Sequence, residues 1–224
     1  MEISNQLDHF RAQLAPYSAT LVAISKTKPL EALQAAYDAG QRVFGENKVQ
    51  EMTDKQEQLP KDIQWHMVGH LQTNKVKYLA PYVSLIHSVD RLKLLQEINK
   101  QAAKHDRVIE VLLQMHIAEE DTKFGLDEAE LEEILSPEVL NTLQNIRVIG
   151  LMGMATNTDD EAQIRKEFGS LKKLFDRVKE QHKSERVAMR ELSMGMSGDY
   201  QIALEEGSTM VRVGSAIFGA RNYA

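Results

Sequence analysis

Three groups in this 224-residue chain have types and spacings that invite chemistry: Lys26, Arg212 and the loop Ser193–Asp199. Lys26 follows the apolar run Leu21 to Ser25 and shares its period-two phase with Val22 and Ile24, so all three side chains point to one face of a strand. If that face is a dry interior, desolvation and the nearby Lys28 both favour the neutral amine. A neutral amine is what condensation with an aldehyde requires. A solvated lysine in a loop ahead of a helix accounts for the same position. Arg212 lies between Val211 and Val213, inside a strand. Pointing inward it needs a partner, because an unpaired buried guanidinium is very costly. Pointing outward it would pair with an acid such as Glu205. Gly214 and Ser215 follow, and glycine permits close backbone approach to a ligand. In Ser193–Met194–Gly195–Met196–Ser197–Gly198–Asp199, two serines and two glycines precede a helix, which suits an anion; a plain helix cap by Ser197 or Asp199 is the simpler explanation.

The elements that must hold these groups alternate along the chain. Apolar runs occur at Leu21 to Ser25, Val43 to Gly45, Trp65 to Gly69, Ser84 to Val89, Val108 to Ile117, Ile146 to Met154, Ala188 to Met194 and Met210 to Phe218. Helical periodicity separates them. Pro29 to Gly40, a polar stretch from about Asn47, Val76 to Ala80, Arg91 to His105, Asp127 to Leu135, Glu138 to Leu143, Glu161 to Val178 and Asp199 to Glu206 are the expected helices. The clearest has Ile164, Phe168, Leu171, Phe175 and Val178 at spacings of three and four. Eight strands alternating with helices imply an α/β fold, a single-domain (β/α)8 TIM-type barrel over residues 1–224. A doubly wound open sheet would need a glycine-rich first turn, which Ser25–Lys26–Thr27–Lys28–Pro29 is not. In such barrels chemistry sits where strands end. The strand ends here are Lys26, Asn47, His70, His87, His116, Met154, Ser193 and Arg212 with Gly214.

Composition narrows the function. A net charge of −6, with Lys and Arg scattered among acids, argues against nucleic acid. The chain has no cysteine, which excludes disulfides, thiolate metal sites and a thiol nucleophile. His66 and His70 flank a strand and lack a carboxylate spaced to complete a metal triad, so no metal is expected. His87 and His116 read as satisfied polar groups. The methionines at 115, 152, 154, 194 and 196 read as core filling, and Glu119–Glu120–Asp121 as a solvated loop. Residues 1 to 10 lack a signal-peptide core, and the apolar runs fall short of a membrane span. A cytoplasmic protein is the expectation.

Eight strings in order along nearly the whole chain resemble one family. They are Leu21-Val-Ala-Ile-Ser-Lys26-Thr-Lys-Pro29, Phe44-Gly-Glu-Asn-Lys-Val-Gln-Glu51, Trp65-His-Met-Val-Gly-His-Leu-Gln-Thr-Asn-Lys75 and Ile86-His-Ser-Val-Asp90. Lys123-Phe-Gly125, Gly150-Leu-Met-Gly-Met154, Leu192-Ser-Met-Gly-Met-Ser-Gly-Asp199 and Val211-Arg-Val-Gly-Ser-Ala-Ile-Phe-Gly219 complete the set. The chain resembles the pyridoxal phosphate homeostasis proteins, PLP-binding barrels related to the N-terminal domain of alanine racemase. The resemblance implies that Lys26 holds pyridoxal 5′-phosphate (PLP) as a Schiff base. It implies that Ser197, with backbone groups of Gly214 and Ser215, cradles the phosphate, and that Arg212 faces the pyridine nitrogen. Asn47 and Ser193 are carried over as neighbours of the cofactor, and Lys123 as a group on the ring's oxygen side.

A guanidinium against the ring nitrogen keeps that nitrogen unprotonated, which weakens PLP as an electron sink. Alanine racemases carry a second domain that supplies the opposing base. A chain ending at Ala224 is expected to lack it, and Tyr223 is a poor substitute. The resemblance therefore implies a non-catalytic carrier acting in intracellular vitamin B6 homeostasis, with no catalytic residues. It is expected to be a monomer whose partners are PLP and PLP-requiring apo-enzymes. A PLP-dependent racemase-like enzyme acting on a small amino acid is the alternative. A phosphate-binding barrel without PLP would be colourless.

Overall fold

Alternation within each strand divides the buried residues into two layers, and that division defines the architecture of the computed structural model, which describes residues 2–119 and 124–220. The strands are β1 (Thr20–Ile24), β2 (Val43–Glu46), β3 (Gln64–Met67), β4 (Leu85–Val89), β5 (Ile109–Gln114), β6 (Ile146–Met152), β7 (Val187–Met196) and β8 (Met210–Val213). Each pairs in parallel with the next, and β8 returns to β1 through Leu21 opposite Val211 and Val22 opposite Arg212. The sheet closes into the expected (β/α)8 barrel.

Val22 and Ile24 point inward, where they pack with Leu85, Leu112, Ile149, Met152 and Met210. Leu21 and Ala23 point outward, into the larger layer between barrel and helices. That outer layer is built by α1 (Ile3–Leu14), α2 (Leu30–Asp38), α3 (Val49–Gln58), α4 (Val76–Leu79), α5 (Leu92–Lys104), α6 (Glu128–Leu135), α7 (Pro137–Leu140), α8 (Glu161–Gln181), α9 (Tyr200–Glu205) and α10 (Ser215–Phe218). In α8 the predicted stripe is the buried face: Ile164, Phe168, Leu171, Phe175 and Val178 are all buried. Each fully buried side chain of this size contributes roughly 1.5–3 kcal/mol.

The structure corrects several boundaries. The run from Met210 to Phe218 is not one strand. The ladder stops at Val213, and Ser215–Phe218 coils into a short helix with Ile217 buried beneath it. Helix α1 was not expected. Its Leu7, Phe10 and Leu14 are buried, at helical spacing. The pair of helices split at Ser136–Pro137 is present, but α7 ends at Leu140 rather than Leu143.

Helix α6 begins with a reciprocal cap. The Asp127 carboxylate accepts from the Glu130 N–H at 2.8 Å, and the Glu130 carboxylate accepts from the Asp127 N–H at 3.0 Å. Asp127→Ala is expected to cost about 1 kcal/mol, by leaving amides of the first turn without their acceptor. It would show as a lower urea midpoint with an unchanged slope, and an unmoved midpoint would count against the cap.

Candidate functional site

The C-terminal ends of the strands meet around one cavity of about 510 Å³. Lys26, Asn47, Arg212 and Gly214, expected at strand ends, all line it, together with Ser197 and Ser215. Ile24, Val68, Met154 and Met196 form its apolar walls. Met154 and Met196 are therefore cavity walls, not core filling. Met115, Met152 and Met194 are core as expected.

Lys26 sits in the turn that follows β1. The Ser25 N–H donates to the Gly45 carbonyl at 3.0 Å, and the Lys28 N–H closes the turn on the Ser25 carbonyl at 3.1 Å. Lys28 also lines the cavity, but its Nζ donates to the carbonyls of Gly219 (3.0 Å) and Ala220 (2.7 Å). Lys123 and Tyr223 lie outside the described residues, as do Glu120 and Asp121.

Arg212 points inward. It is 5% exposed, and its Nη1 donates to Ser193 Oγ at 2.6 Å while Nη2 donates to the Gly153 carbonyl at 3.1 Å. The outward alternative fails because Glu205 is engaged elsewhere, by Arg165. Burial pushes Arg212 down to about 10, against the pull of Asp199, so the guanidinium remains charged at neutral pH. Glycine is required nearby at Gly195, whose φ is +97° and where a Cβ would lie 2.6 Å from the Ala203 Cβ and 3.1 Å from the Tyr200 Cα.

Ser193 is fully buried beneath Arg212 and does not line the cavity. Its hydroxyl meets His87 Nδ1 at 2.9 Å, and His87 Nε2 meets His66 Nδ1 at 2.9 Å. Burial pushes His66 down to about 3 and His87 well below its ordinary value, helped by His66 and Arg212. Both rings are neutral at pH 7, so a single proton is shared between the two facing nitrogens. The chain His66–His87–Ser193 thus orients the guanidinium through a neutral network. Sequence reading missed the histidine pair, although His87 was correctly taken as a satisfied polar group.

Other candidates lie elsewhere. His70 pairs with Asp90 at 3.1 Å and stacks on Phe124, with ring centroids 4.5 Å apart. His116 is exposed, with its N–H on the Leu126 carbonyl. The ionisable side chains among the described cavity lining are Lys26, Lys28 and Arg212, all basic. Gly198 adds open space, since a Cβ there would meet nothing within 4 Å. Ser215 opens α10, where the first amides have no acceptor within the helix. Such a pocket suits a small anion of roughly PLP size, held by cations and backbone N–H groups.

Residues 2–222 match the model of the alanine racemase N-terminal domain family. A relative from Aquifex aeolicus, named pyridoxal phosphate homeostasis protein, is 42% identical over 95% of this chain and 92% of its own. PipY from Synechococcus elongatus without PLP superposes with a TM-score of 0.90 at 36% identity, covering 97% of this chain and all of that one. The PLP-bound form of PipY gives 0.87 over the same shares at the same identity. The chain belongs to the pyridoxal phosphate homeostasis proteins of the alanine racemase N-terminal domain family.

Proposed function

We propose that this chain is a single barrel that binds PLP at the C-terminal mouth and serves intracellular PLP homeostasis as a carrier rather than a catalyst. The observation that carries this reading is that Lys26 and Arg212, far apart in sequence, face one cavity whose ionisable lining, among the described residues, is entirely basic. PLP bound there supplies an aldehyde that condenses with an amine and a pyridine ring that can withdraw electrons. Lys26 provides the amine. Ser197, with backbone groups of Gly214 and Ser215, binds the phosphate, and Asn47 borders the ring. Arg212 faces the ring nitrogen, with Ser193 beneath it setting the angle of the guanidinium.

The carrier reading rests on Arg212. A guanidinium still charged at neutral pH cannot accept a proton, so it donates to the ring nitrogen and keeps it unprotonated. That weakens electron withdrawal, which racemisation depends on. The names of the relatives point the same way. Among the described residues no helix is long and apolar enough to cross a membrane. We place the protein in the cytoplasm as a monomer, with PLP and PLP-requiring apo-enzymes as its partners.

The test is to titrate the purified protein with PLP, reduce with borohydride and map the adduct by peptide mass. A visible band that is lost on reduction, with the added mass on Lys26, is expected. An adduct on another lysine, or none, sinks the anchor assignment. Racemisation of a small amino acid that depends on Lys26 would turn the carrier into an enzyme.

A further inference from the structure

The two neighbours of Lys26 are both tied to one ionic cluster on the next strand and helix. Ser25 donates its hydroxyl to Glu46 Oε1 at 2.6 Å, and its carbonyl accepts from Lys55 Nζ at 2.7 Å. The Thr27 N–H donates to Glu51 Oε1 at 2.5 Å. Lys55 Nζ joins the two arms, lying 2.7 Å from both Glu46 Oε1 and Glu51 Oε1. Glu46 ends β2, while Glu51 and Lys55 sit one turn apart on α3. The Lys55 and Glu46 side chains are 7% and 0% exposed.

Stability does not account for this cluster. Desolvating ions consumes most of what their attraction returns, and apolar side chains of equal volume generally serve as well. The cluster is not even fully satisfied: Glu46 Oε2 is buried with no hydrogen-bond partner among the described residues. Burial pushes the Glu46 carboxyl up, against Lys55 and the Ser25 hydroxyl. What the cluster does hold is an unfavourable backbone. Thr27 has φ +62°, the left-handed region that a β-branched residue strongly avoids. Such a conformation persists only where the surroundings over-determine it, and it gathers at functional sites. If Thr27 relaxed to negative φ, the peptide joining it to Lys26 would turn, and the lysine would turn with it.

We propose that Glu46, Lys55 and Glu51 form a clamp that positions Lys26, holding Ser25 in place and Thr27 left-handed so that the amine is aimed into the cavity. This rests on the reading of Lys26 as the PLP anchor. The three are positioning residues, since none lines the cavity. Glu51 works through the Thr27 amide and Lys55 through the Ser25 carbonyl, while Glu46 fixes Lys55 and the Ser25 hydroxyl.

The clamp separates geometry from charge. Glu51→Gln still offers an oxygen to the Thr27 N–H, whereas Glu51→Ala offers none. The rate of PLP capture, followed by absorbance after rapid mixing and confirmed by borohydride labelling of Lys26, is expected to fall about tenfold or more in Glu51→Ala, since small misplacements of a reacting group are costly. Glu51→Gln should stay within about threefold of wild type. Adding Thr27→Gly to Glu51→Ala should recover most of the loss, because glycine takes positive φ without help. Lys55→Met tests the Ser25 arm by the same rate and remains available if Glu51→Ala does not fold. A Glu51→Ala protein that melts lower yet labels Lys26 at the wild-type rate overturns the clamp and leaves the anchor standing. Wild-type labelling at any other lysine overturns both.

Discussion

Lys26→Ala is expected to fold like wild type, to acquire no reducible visible band with PLP, and to bind PLP at least about 100-fold more weakly. The side chain is half-buried in a turn, and the contacts that hold that turn run through the backbone of Ser25 and Lys28 and through Thr27. Stability should therefore change by no more than ~1 kcal/mol. Residual binding through Ser197, Ser215, Gly214 and Arg212 is expected to remain, because the phosphate and ring contacts proposed for them do not need the amine. A 100-fold loss corresponds to about 3 kcal/mol. Equilibrium dialysis measures it, and Lys26→Arg should behave in the same way, since it keeps the charge but not a condensing amine. Lys28→Met is the complementary control. Its Nζ is engaged by the Gly219 and Ala220 carbonyls, so that variant should keep the band. If Lys26→Ala retained the band, the covalent anchor would have to be reassigned, with Lys28 the first alternative.

The barrel was legible because its strands are apolar on both faces and short, so each stands out between amphipathic segments. Lys26 was legible for a narrower reason. Its phase follows Val22 and Ile24, and these two belong to the interior layer, separate from Leu21 and Ala23. Arg212 stayed ambiguous because both faces of β8 are covered; only Ser193 and the Gly153 carbonyl, contributed by β7 and the end of β6, settle its direction. The end of β8 is not legible because three apolar residues, Ala216 to Phe218, have no resolvable period, so Ser215–Phe218 reads as more strand. Helix α1 carries a readable stripe in Leu7, Phe10 and Leu14, but only residues 1 to 10 enter the sequence reading, and only as a test for a targeting segment.

The polar clusters beneath the site were illegible in principle from one chain. His66 is opposite Leu85 across β3 and β4, which brings His87 within reach two residues later. That register follows from closure of the barrel and not from local spacing. The same holds for Lys55, whose partners come from the turn after β1, from β2 and from its own helix. A lysine on a polar helix reads as solvated unless one knows that the helix lies over the turn holding Ser25.

The buried histidine pair makes a second large effect, this one on stability. Between pH 6.5 and 5 the protein is expected to lose about 2–4 kcal/mol of folding free energy. The folded-state pKa of His66 is depressed to about 3, and that of His87 lies well below the ordinary 6.5. In the unfolded chain both rings take up protons as the pH falls through 6.5. In the folded barrel they do not. The unfolded state thus binds more protons throughout the window from 6.5 down toward 3, so stability falls as the solution is acidified, by ~1.4 kcal/mol per pH unit for each ring. Glu46 acts in the opposite sense. Burial raises its carboxyl, so the folded state takes up that proton before the unfolded chain does, which offsets part of the loss on acidification. Before that offset, urea unfolding between pH 6.5 and 5 should give a slope of between one and two protons. His66→Gln, which can still bond to His87, should lower that slope by about one. A flat profile from 6.5 to 5 would mean that the rings titrate in the folded protein. That outcome would also undo the account of Arg212, because a protonated His87 would place a second cation one hydroxyl away from the guanidinium that Ser193 holds toward the cavity.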